Sequence, residues 1–162
     1  MNIKSLRIGQ GVDFHRLAEG EEFWLGGIKL DYHKGGVGHS DADVLLHVIC
    51  DALLGAANLG DIGKHFPDTS NEYKGIDSKI LLKRVGELIS ENKYKISNLD
   101  SIVCLQKPKL APHLDKMKAV IAEVLSLDID QVSIKATTTE KLGFVGREEG
   151  ISAYCSVLIY KY

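Results

Sequence analysis

A nearly unbroken apolar segment at residues 44–59 sets the strictest condition on the fold of this chain. It is shorter than a membrane span, so we expect a buried helix. At about 100° per residue, one broad arc collects seven apolar side chains: Val44, Leu45, Val48, Ile49, Ala52, Leu53 and Ala56. A separate polar stripe carries three residues: Asp43, His47 and Asp51. Ser40 and Asp43 have the spacing of a capping box, which predicts a helix from Ser40 to about Asn58.

Four further segments are predicted to be strands: 6–15, 94–106, 132–136 and 151–160. Glycines in the first strand indicate a bulge or a close approach of another backbone. The last strand alternates, and one face is strictly apolar: Ile151, Ala153, Cys155, Val157 and Ile159. Its opposite face is mixed but bulky, so we expect that face to meet another sheet or subunit.

The remaining segments fill the connections between these elements. Residues 23–25 and 28–30 predict a hairpin around two glycines, and residues 35–38 a glycine-rich loop. Helices are predicted at 78–91 and from Pro112 to Leu125. Residues 60–68 contain too many helix and strand breakers for regular structure, which makes them a candidate functional loop.

Length and composition favour a single compact domain over residues 1–162, with 44% apolar and 26% charged residues. A net charge of −2 supplies no positive field for nonspecific nucleic-acid binding. The sequence predicts no transmembrane helix and no signal region, which favours the cytoplasm. Three cysteines in apolar surroundings are predicted to be buried thiols: Cys50, Cys104 and Cys155.

Asp13 and His15 lie two apart on a predicted strand, so their side chains share one face and can converge on an ion. His47 could be the third ligand. Two histidines and one carboxylate leave one tetrahedral position open, as in catalytic zinc sites. The alternative is structural, because His47 could simply pair with Asp43 or Asp51 on its own helix.

Two segments could bind phosphate. Residues 38–40 precede the long helix, where free N–H groups favour an anion, although an ordinary N-cap explains them equally well. Thr137 and Glu140 again have capping-box spacing, while threonine hydroxyls and a glutamate also suit phosphate and a hard divalent ion. Nucleophile motifs, the Walker phosphate loop and the dinucleotide fingerprint are absent from the sequence, which disfavours covalent catalysis, kinases and dehydrogenases.

Six motifs together resemble the 2-C-methyl-D-erythritol 2,4-cyclodiphosphate synthase family, and the similarity extends from Arg7 to about Ile159. They are GVDFH at 11–15, HSDADVLLH at 39–47, DALLGAA at 51–57, LGDIGK at 59–64, FPD at 66–68 and ATTTEKLGFVGREEG at 136–150. The resemblance implies conversion of 4-diphosphocytidyl-2-C-methyl-D-erythritol 2-phosphate into the 2,4-cyclodiphosphate, with CMP released. The substrate's own 2-phosphate would be the nucleophile, which agrees with the missing nucleophile motif.

The resemblance also implies roles for individual positions. Asp13, His15 and His47 would bind Zn²⁺, and Glu140 would hold Mg²⁺ or Mn²⁺ on the substrate diphosphate. His39 and Thr138 match the positions that align the substrate and stabilise the transition state. The implied contacts to the methylerythritol phosphate are Ser40, Asp61, Ile62, Gly63, Phe66, Pro67, Asp68, Thr69 and Ser70. The implied nucleotide contacts are Leu105, Gln106, Lys107, Pro108, Lys109, Leu110, Ala111, Ala136, Thr137 and Thr138, and Thr139 is a further implied substrate contact.

The family fold is α+β, with one sheet covered by helices on one face and three sheets packed around the three-fold axis of a homotrimer. Its active sites lie between adjacent subunits. Phe144 and Arg147 match residues of an axial cavity that holds an isoprenoid diphosphate in relatives. Two alternatives stay open: a zinc-dependent hydrolase of nucleotide-linked phosphates, and a noncatalytic trimer that binds isoprenoid diphosphates.

Overall fold

A computed structural model describes residues 5–67 and 75–162 of the chain. Within these ranges there are seven strands, five α-helices and two short 3-10 helices, at Ala111–His113 and Ile129–Gln131. The strands are β1 (Leu6–Glu19), β2 (Phe23–Leu25), β3 (Ile28–Leu30), β4 (Lys34–Val37), β5 (Tyr94–Cys104), β6 (Val132–Thr137) and β7 (Gly150–Lys161). The helices are α1 (Val44–Ala56), α2 (Ile62–His65), α3 (Ser78–Glu91), α4 (Leu114–Leu125) and α5 (Gly143–Gly146).

Five strands form one mixed sheet in the order β4–β1–β7–β5–β6. Neighbouring strands are antiparallel except β5 and β6, which are parallel. Helix α1 lies against β1 and β7, α3 packs on α1, and α4 packs on α3 and β6. The short strands β2 and β3 form a separate hairpin, as predicted. The fold is therefore α+β, with a mixed sheet flanked by helices.

The predicted central helix is α1, but it begins at Val44, and the predicted start at Ser40 is wrong. Ala42 has a positive φ of 56°, which interrupts any helix that begins before it. Asp43 is the N-cap, and its carboxylate accepts a hydrogen bond of 3.0 Å from the N–H of Leu46. All seven residues of the predicted apolar arc are buried. Leu46 and Leu54 are buried too, because α3 and the hairpin cover the outer side of α1.

Two glycines of β1 allow α1 to approach the strand closely. A Cβ atom at Gly9 would lie 1.9 Å from the carbonyl oxygen of Ala52, and one at Gly11 would lie 2.3 Å from that of Val48. Real side chains do not tolerate such distances, so the predicted close backbone approach is confirmed. The polar flank of α1 thereby comes within reach of the side chains of β1.

Three local predictions are wrong in ways that bear on the site. Residues 34–37 form the edge strand β4 paired with β1, and not a loop. Residues 60–68 contain the short helix α2, which begins because the Asp61 carboxylate accepts from the N–H of Lys64 at 2.9 Å. The capping box at Thr137 does not form, since β6 extends to Thr137 and the next helix begins only at Gly143.

The cysteine prediction is confirmed for Cys50 and Cys155, which are free thiols buried in the core. Burial raises the pKa of the Cys155 thiol to about 11. Cys104 is also a free thiol, but it is only half-buried. We therefore do not expect Cys50 or Cys155 to be ionised or reactive.

The face of the sheet opposite the helices is open and mixed: exposed apolar side chains lie beside Gln10, Ser156 and the Asp100–Lys135 ion pair. Ile8 is 78% exposed, and four further apolar or aromatic side chains on this face are 37–52% exposed: Val12, Phe14, Ile102 and Tyr154. Ile8 pairs with Leu158 across β1 and β7, and Val12 with Tyr154. Phe14 contacts the ring of Tyr154 edge to face, with the ring centroids 6.3 Å apart. A group of exposed apolar side chains of this kind is typical of a surface that is covered by another molecule.

Asp43 fastens the β2–β3 hairpin to the start of α1. Its carboxylate is completely buried and accepts hydrogen bonds from the N–H groups of Gly26, at 2.9 Å, and Gly27, at 2.7 Å, besides that of Leu46. The two glycines have positive φ, which turns both N–H groups toward the helix. One buried carboxylate thus satisfies three backbone donors from two elements.

We expect Asp43→Ala to lower the free energy of unfolding by about 3–5 kcal/mol, because it leaves three buried N–H groups without an acceptor. Urea denaturation would measure the loss. Asp77→Ala is the matched control. The Asp77 carboxylate also caps a helix, because it accepts from the N–H of Lys79 at the start of α3, but its side chain is 46% exposed. A loss in Asp43→Ala no greater than the control's would contradict the fastening role.

Candidate active site

Asp13, His15 and His47 meet at one point between β1 and α1. Asp13 and His15 leave β1 on the side that faces the helix, two residues apart on the strand. His47 lies on the polar flank of α1, one turn after the buried N-cap Asp43. The close approach allowed by Gly9 and Gly11 brings this flank to the strand, so that the predicted cluster forms.

The three ligand atoms make a nearly equilateral triangle. Oδ2 of Asp13 lies 3.2 Å from Nε2 of His15 and 3.3 Å from Nδ1 of His47, and the two ring nitrogens are 3.1 Å apart. Ligands about 2.0 Å from a tetrahedral ion are about 3.3 Å from one another, so the triangle has the size that Zn²⁺ requires. The residues therefore fit a divalent metal with one open position.

The second oxygen of Asp13 is held independently of this triangle. Its Oδ1 accepts a hydrogen bond of 2.8 Å from the backbone N–H of Phe14, which leaves Oδ2 for the two histidines. The structural alternative for His47 is wrong, because its ring nitrogen contacts Asp13 while the Asp43 carboxylate is used by backbone donors. Asp51 likewise accepts from the N–H of Ile62 at 2.7 Å.

The electrostatics favour an ionised carboxylate among the three ligands. Burial opposes the charge of Asp13, but hydrogen bonds with His15 and His47 outweigh it and hold the pKa of this carboxyl well below its usual range. Burial alone would lower the pKa of His47, but the hydrogen bond with Asp13 and the charges of Asp43, Asp13 and Asp41 raise it. The site thus concentrates negative charge at a place where a cation fits.

A cavity of about 210 Å³ opens beside the triangle. It brings together eight of the predicted site residues: Asp13, His15, His39, Ser40, His47, Ile62, Gly63 and Phe66. Asp61 is the N-cap of α2 and directly precedes Ile62, which lines the cavity. Pro67 directly follows Phe66 and is exposed. Asp68, Thr69 and Ser70 lie outside the described residues.

Two polar groups in this cavity have capacity for a ligand. Nε2 of His39 is buried and has no hydrogen-bond partner among the residues that the structure describes. Ser40 has its Oγ 3.0 Å from Nε2 of His47 and accepts a bond of 3.3 Å from the N–H of Ala42. At the N-terminus of α1 itself the Asp43 carboxylate accepts from the N–H of Leu46, so an ordinary N-cap accounts for that helix end. An anion in the cavity would instead meet side chains.

The predicted nucleotide segments form a second cavity, also of about 210 Å³, elsewhere on the same chain. Its walls contain nearly all of the residues predicted there, namely Leu105, Gln106, Pro108, Lys109, Leu110, Ala111, Ala136, Thr137 and Thr138, with Leu114 besides. Lys107 points elsewhere, and its Nζ lies 3.4 Å from Oε1 of Glu148. The walls of the Asp13 cavity and of this cavity have no residue in common.

The turn that follows β6 carries Glu140 next to this second cavity. Glu140 and Lys141 both have positive φ, 53° and 64°, and both are exposed. The hydroxyl of Thr138 lies 3.3 Å from Oε1 of Glu140, and Oε1 of Gln106 accepts from the N–H of Lys141 at 3.2 Å. Thr139 closes the turn by donating to the carbonyl of Leu142 at 2.7 Å. Within one chain, Glu140 is therefore not among the residues that line the Asp13 cavity.

Phe144 belongs to the aromatic group on the open sheet face, since its ring contacts that of Phe14 with centroids 6.0 Å apart. Arg147 is exposed and pairs with Glu149 through two hydrogen bonds of 3.0 Å. Phe144, on the short helix α5, is thus on the open side of the sheet.

Asp51 and Ser78 are site residues that the sequence interpretation missed. Asp51 lines the Asp13 cavity and fixes the start of α2 against α1, and burial raises the pKa of its carboxyl. A signal was available, because the polar stripe on α1 places Asp51 one turn after His47. Ser78 contacts His47 from α3, and no sequence pattern links residues so far apart in the chain.

Comparisons with known proteins agree on one family. The pattern of the YgbB family matches residues 6–160. A 2-C-methyl-D-erythritol 2,4-cyclodiphosphate synthase of Bacteroides fragilis is 62% identical over 154 residues, which cover 95% of this chain and 97% of the relative. The solved IspF–CDP complex of Plasmodium falciparum aligns with a TM-score of 0.85 at 34% identity, covering 99% of both chains.

A bifunctional IspDF structure from Campylobacter jejuni aligns with a TM-score of 0.93 at 41% identity. It covers 97% of this chain, which spans 42% of that longer protein. Among the described residues, no helix combines the length and the apolar character needed to cross a membrane.

Proposed function

The chain belongs to the YgbB family, and on this premise we propose that it is a cyclase that makes 2-C-methyl-D-erythritol 2,4-cyclodiphosphate. Its substrate is 4-diphosphocytidyl-2-C-methyl-D-erythritol 2-phosphate. An oxygen of the 2-phosphate attacks the β-phosphorus, the bond between the β-phosphorus and the bridging oxygen breaks, and CMP leaves with the α-phosphate. The observation that carries the proposal is the triangle of Asp13, His15 and His47 beside a cavity in which Nε2 of His39 has no partner within residues 5–67 and 75–162.

Asp13, His15 and His47 would hold a zinc ion, and Glu140 a magnesium or manganese ion at the substrate diphosphate. Such ions neutralise charge on phosphate oxygens and so favour attack by another anion. The chain's own part is to keep Oδ2 of Asp13 ionised and both ring nitrogens aimed at one point. A side-chain base is not needed, because the attacking phosphate is already an anion near neutral pH.

We assign the alignment of the reacting phosphates to His39, Ser40 and Thr138. A buried imidazole nitrogen without a partner is costly unless a ligand supplies one, so Nε2 of His39 would contact a phosphate oxygen. Ser40 and the walls of α2 at Ile62 and Gly63 would hold the methylerythritol phosphate. These side chains would hold the two phosphate groups in line. Less translational and rotational entropy is then lost on the way to the transition state.

The second cavity would take the cytidine, with Thr138 and Glu140 at its edge. Because the two cavities share no walls, we propose that a complete site needs the nucleotide segment of one subunit beside the Asp13 cavity of the next. The exposed apolar side chains of the open sheet face support a homotrimer in which three sheets meet at an axis. Each subunit, residues 1–162, would act as a single domain in this assembly.

The axial group of Phe14, Phe144 and Tyr154 would line a cavity that suits the apolar chain of an isoprenoid diphosphate. Arg147 could bind the diphosphate only after it releases Glu149. Binding of an isoprenoid diphosphate is separate from the cyclase activity, so the assay of cyclisation does not depend on it.

Phosphorus NMR of the protein with substrate, zinc and magnesium tests the proposed activity. We expect two coupled cyclic diphosphate resonances together with CMP, and neither should form after chelation, because the charge of the two phosphates is then not neutralised. CMP with an open-chain diphosphate would instead indicate a hydrolase. Unchanged substrate with metallated protein would indicate a noncatalytic binding protein.

A further inference from the structure

We propose that Ser78, held by Asp41, is a positioning residue that fixes the His47 ring with its Nε2–H pointing away from the metal triangle. The inference rests on the proposed metal site. It assigns a role in catalysis to the N-terminus of α3, an element that contributes no ligand and no predicted substrate contact.

Ser78 connects three segments of the chain at one buried point. Its side chain is completely buried, and its Oγ lies 2.9 Å from Nε2 of His47. The Ser78 hydroxyl donates to Oδ1 of Asp41, and the Ser78 N–H donates to Oδ2 of the same carboxylate at 2.9 Å. Asp41 also accepts from the N–H of Asp43 at 3.2 Å. Ser78 therefore has a fixed position and a fixed proton direction.

The directions of these protons follow from what each group can donate. The Asp41 carboxylate only accepts, so the single Ser78 hydroxyl proton is committed to Asp41. The oxygen of Ser78 then faces His47 with a lone pair. At 2.9 Å this requires a proton on Nε2, since two lone pairs would repel each other at that distance. With its proton on Nε2, a neutral imidazole presents an unshared pair at Nδ1, the atom that belongs to the triangle.

A second hydroxyl near the same nitrogen does not have this constraint. Ser40 Oγ is 3.0 Å from Nε2 of His47. Within the described residues, the Ser40 hydroxyl proton has no hydrogen-bond acceptor other than that nitrogen. Because Nε2 already carries a proton, the Ser40 proton is free to meet a phosphate oxygen in the cavity. The two serines thus have different roles: Ser78 fixes the His47 ring, and Ser40 faces the phosphate in the cavity.

Partners beyond the metal ligands fix ring orientation, and losing one typically weakens metal binding about 10- to 100-fold. We therefore expect Ser78→Ala to weaken Co²⁺ binding by about 10- to 100-fold, and Ser40→Ala by less than about 3-fold. Co²⁺ is titrated without substrate, through its visible absorption bands against a competing chelator. Ser40→Ala is the matched control, because it removes a hydroxyl at nearly the same distance from the same nitrogen.

A second measurement separates positioning from a general loss of structure. In zinc-loaded wild type with ¹⁵N-labelled histidine, the Nε2–H of His47 should exchange slowly with solvent, since it is buried against Ser78. In Ser78→Ala the same proton should exchange at least about tenfold faster, because its buried acceptor is gone and only the Ser40 oxygen, which faces the cavity, remains. The metal-free variant should stay folded, with its thermal unfolding midpoint lowered by no more than about 8 °C, since one buried hydroxyl is removed from between two partners.

Equal cobalt affinity of Ser78→Ala and wild type would overturn the inference, and so would an equal loss in Ser40→Ala. Failure of the wild type to bind cobalt would overturn it as well, together with the proposed metal site. Because cobalt binding needs no turnover, an inactive wild type that binds cobalt would refute the cyclase proposal alone. An active wild type with unchanged Ser78→Ala affinity would refute only the role of Ser78.

Discussion

His47→Ala should lower kcat/KM for cyclisation by at least about 10³-fold while the protein stays folded and assembled. The change removes one of the three ligand atoms, and the remaining pair cannot hold a tetrahedral ion with a single open position. Stability should change little, because His47 lies on the polar flank of α1, apart from its buried apolar arc. Phosphorus NMR gives the rate of cyclisation, and sedimentation velocity gives the state of assembly.

His33→Ala is the matched control for this experiment. His33 is an exposed histidine outside the site, and its Nε2 lies 3.6 Å from Oε1 of Glu19. We expect its activity to remain within about twofold of wild type, as for most surface substitutions. Retention of cyclisation in His47→Ala would show that the triangle is not the metal site. Loss of assembly in that variant would show that His47 has a structural role instead.

The ligand triangle could be predicted because each of its parts has a local signature. An Asp-x-His step on a strand puts two side chains on one face, and the spacing within α1 puts His47 on a polar flank. The glycines of β1 predicted a bulge or the close approach of another backbone, and the structure has the close approach. Local periodicity therefore specified both the ligands and the approach of the elements that carry them.

The start of α1 was not predicted, because the residue that caps it also binds a distant hairpin. Ser40 and Asp43 match a capping box in sequence, but Asp43 is used as the cap itself and by Gly26 and Gly27. Tertiary hydrogen bonds thus override a local motif. For the same reason Ser78 was missed: its contact with His47 depends on how α3 packs on α1, which no short pattern encodes.

The proposed division of the site between two cavities could not be deduced from the periodicity of one chain either. The residues of the Asp13 cavity and the nucleotide segments both lie near strand ends. The sequence alone therefore allows them to meet within one chain. In the structure the Asp13 cavity lies between the sheet and its helices, while Glu140 occupies an exposed turn beyond β6.

Ile8→Asp should convert the proposed trimer into monomers and lower cyclisation by at least about 100-fold. Ile8 is 78% exposed in the single chain and pairs with Leu158 on the open sheet face. Three copies of the variant would place three carboxylates near one axis in an apolar contact, where unpaired charge is strongly unfavourable. Sedimentation velocity measures the assembly, and phosphorus NMR measures the activity.

Cobalt binding by the same variant distinguishes a divided site from a damaged one. Asp13, His15 and His47 all come from one chain, so monomeric Ile8→Asp should bind Co²⁺ with wild-type affinity although it cannot cyclise. Ile80→Asp is the control for assembly, because Ile80 is 58% exposed on α3, away from the sheet face. A monomer that cyclises normally would show that each chain contains a complete site, whereas a trimer that tolerates Asp at position 8 would place the subunit contact elsewhere.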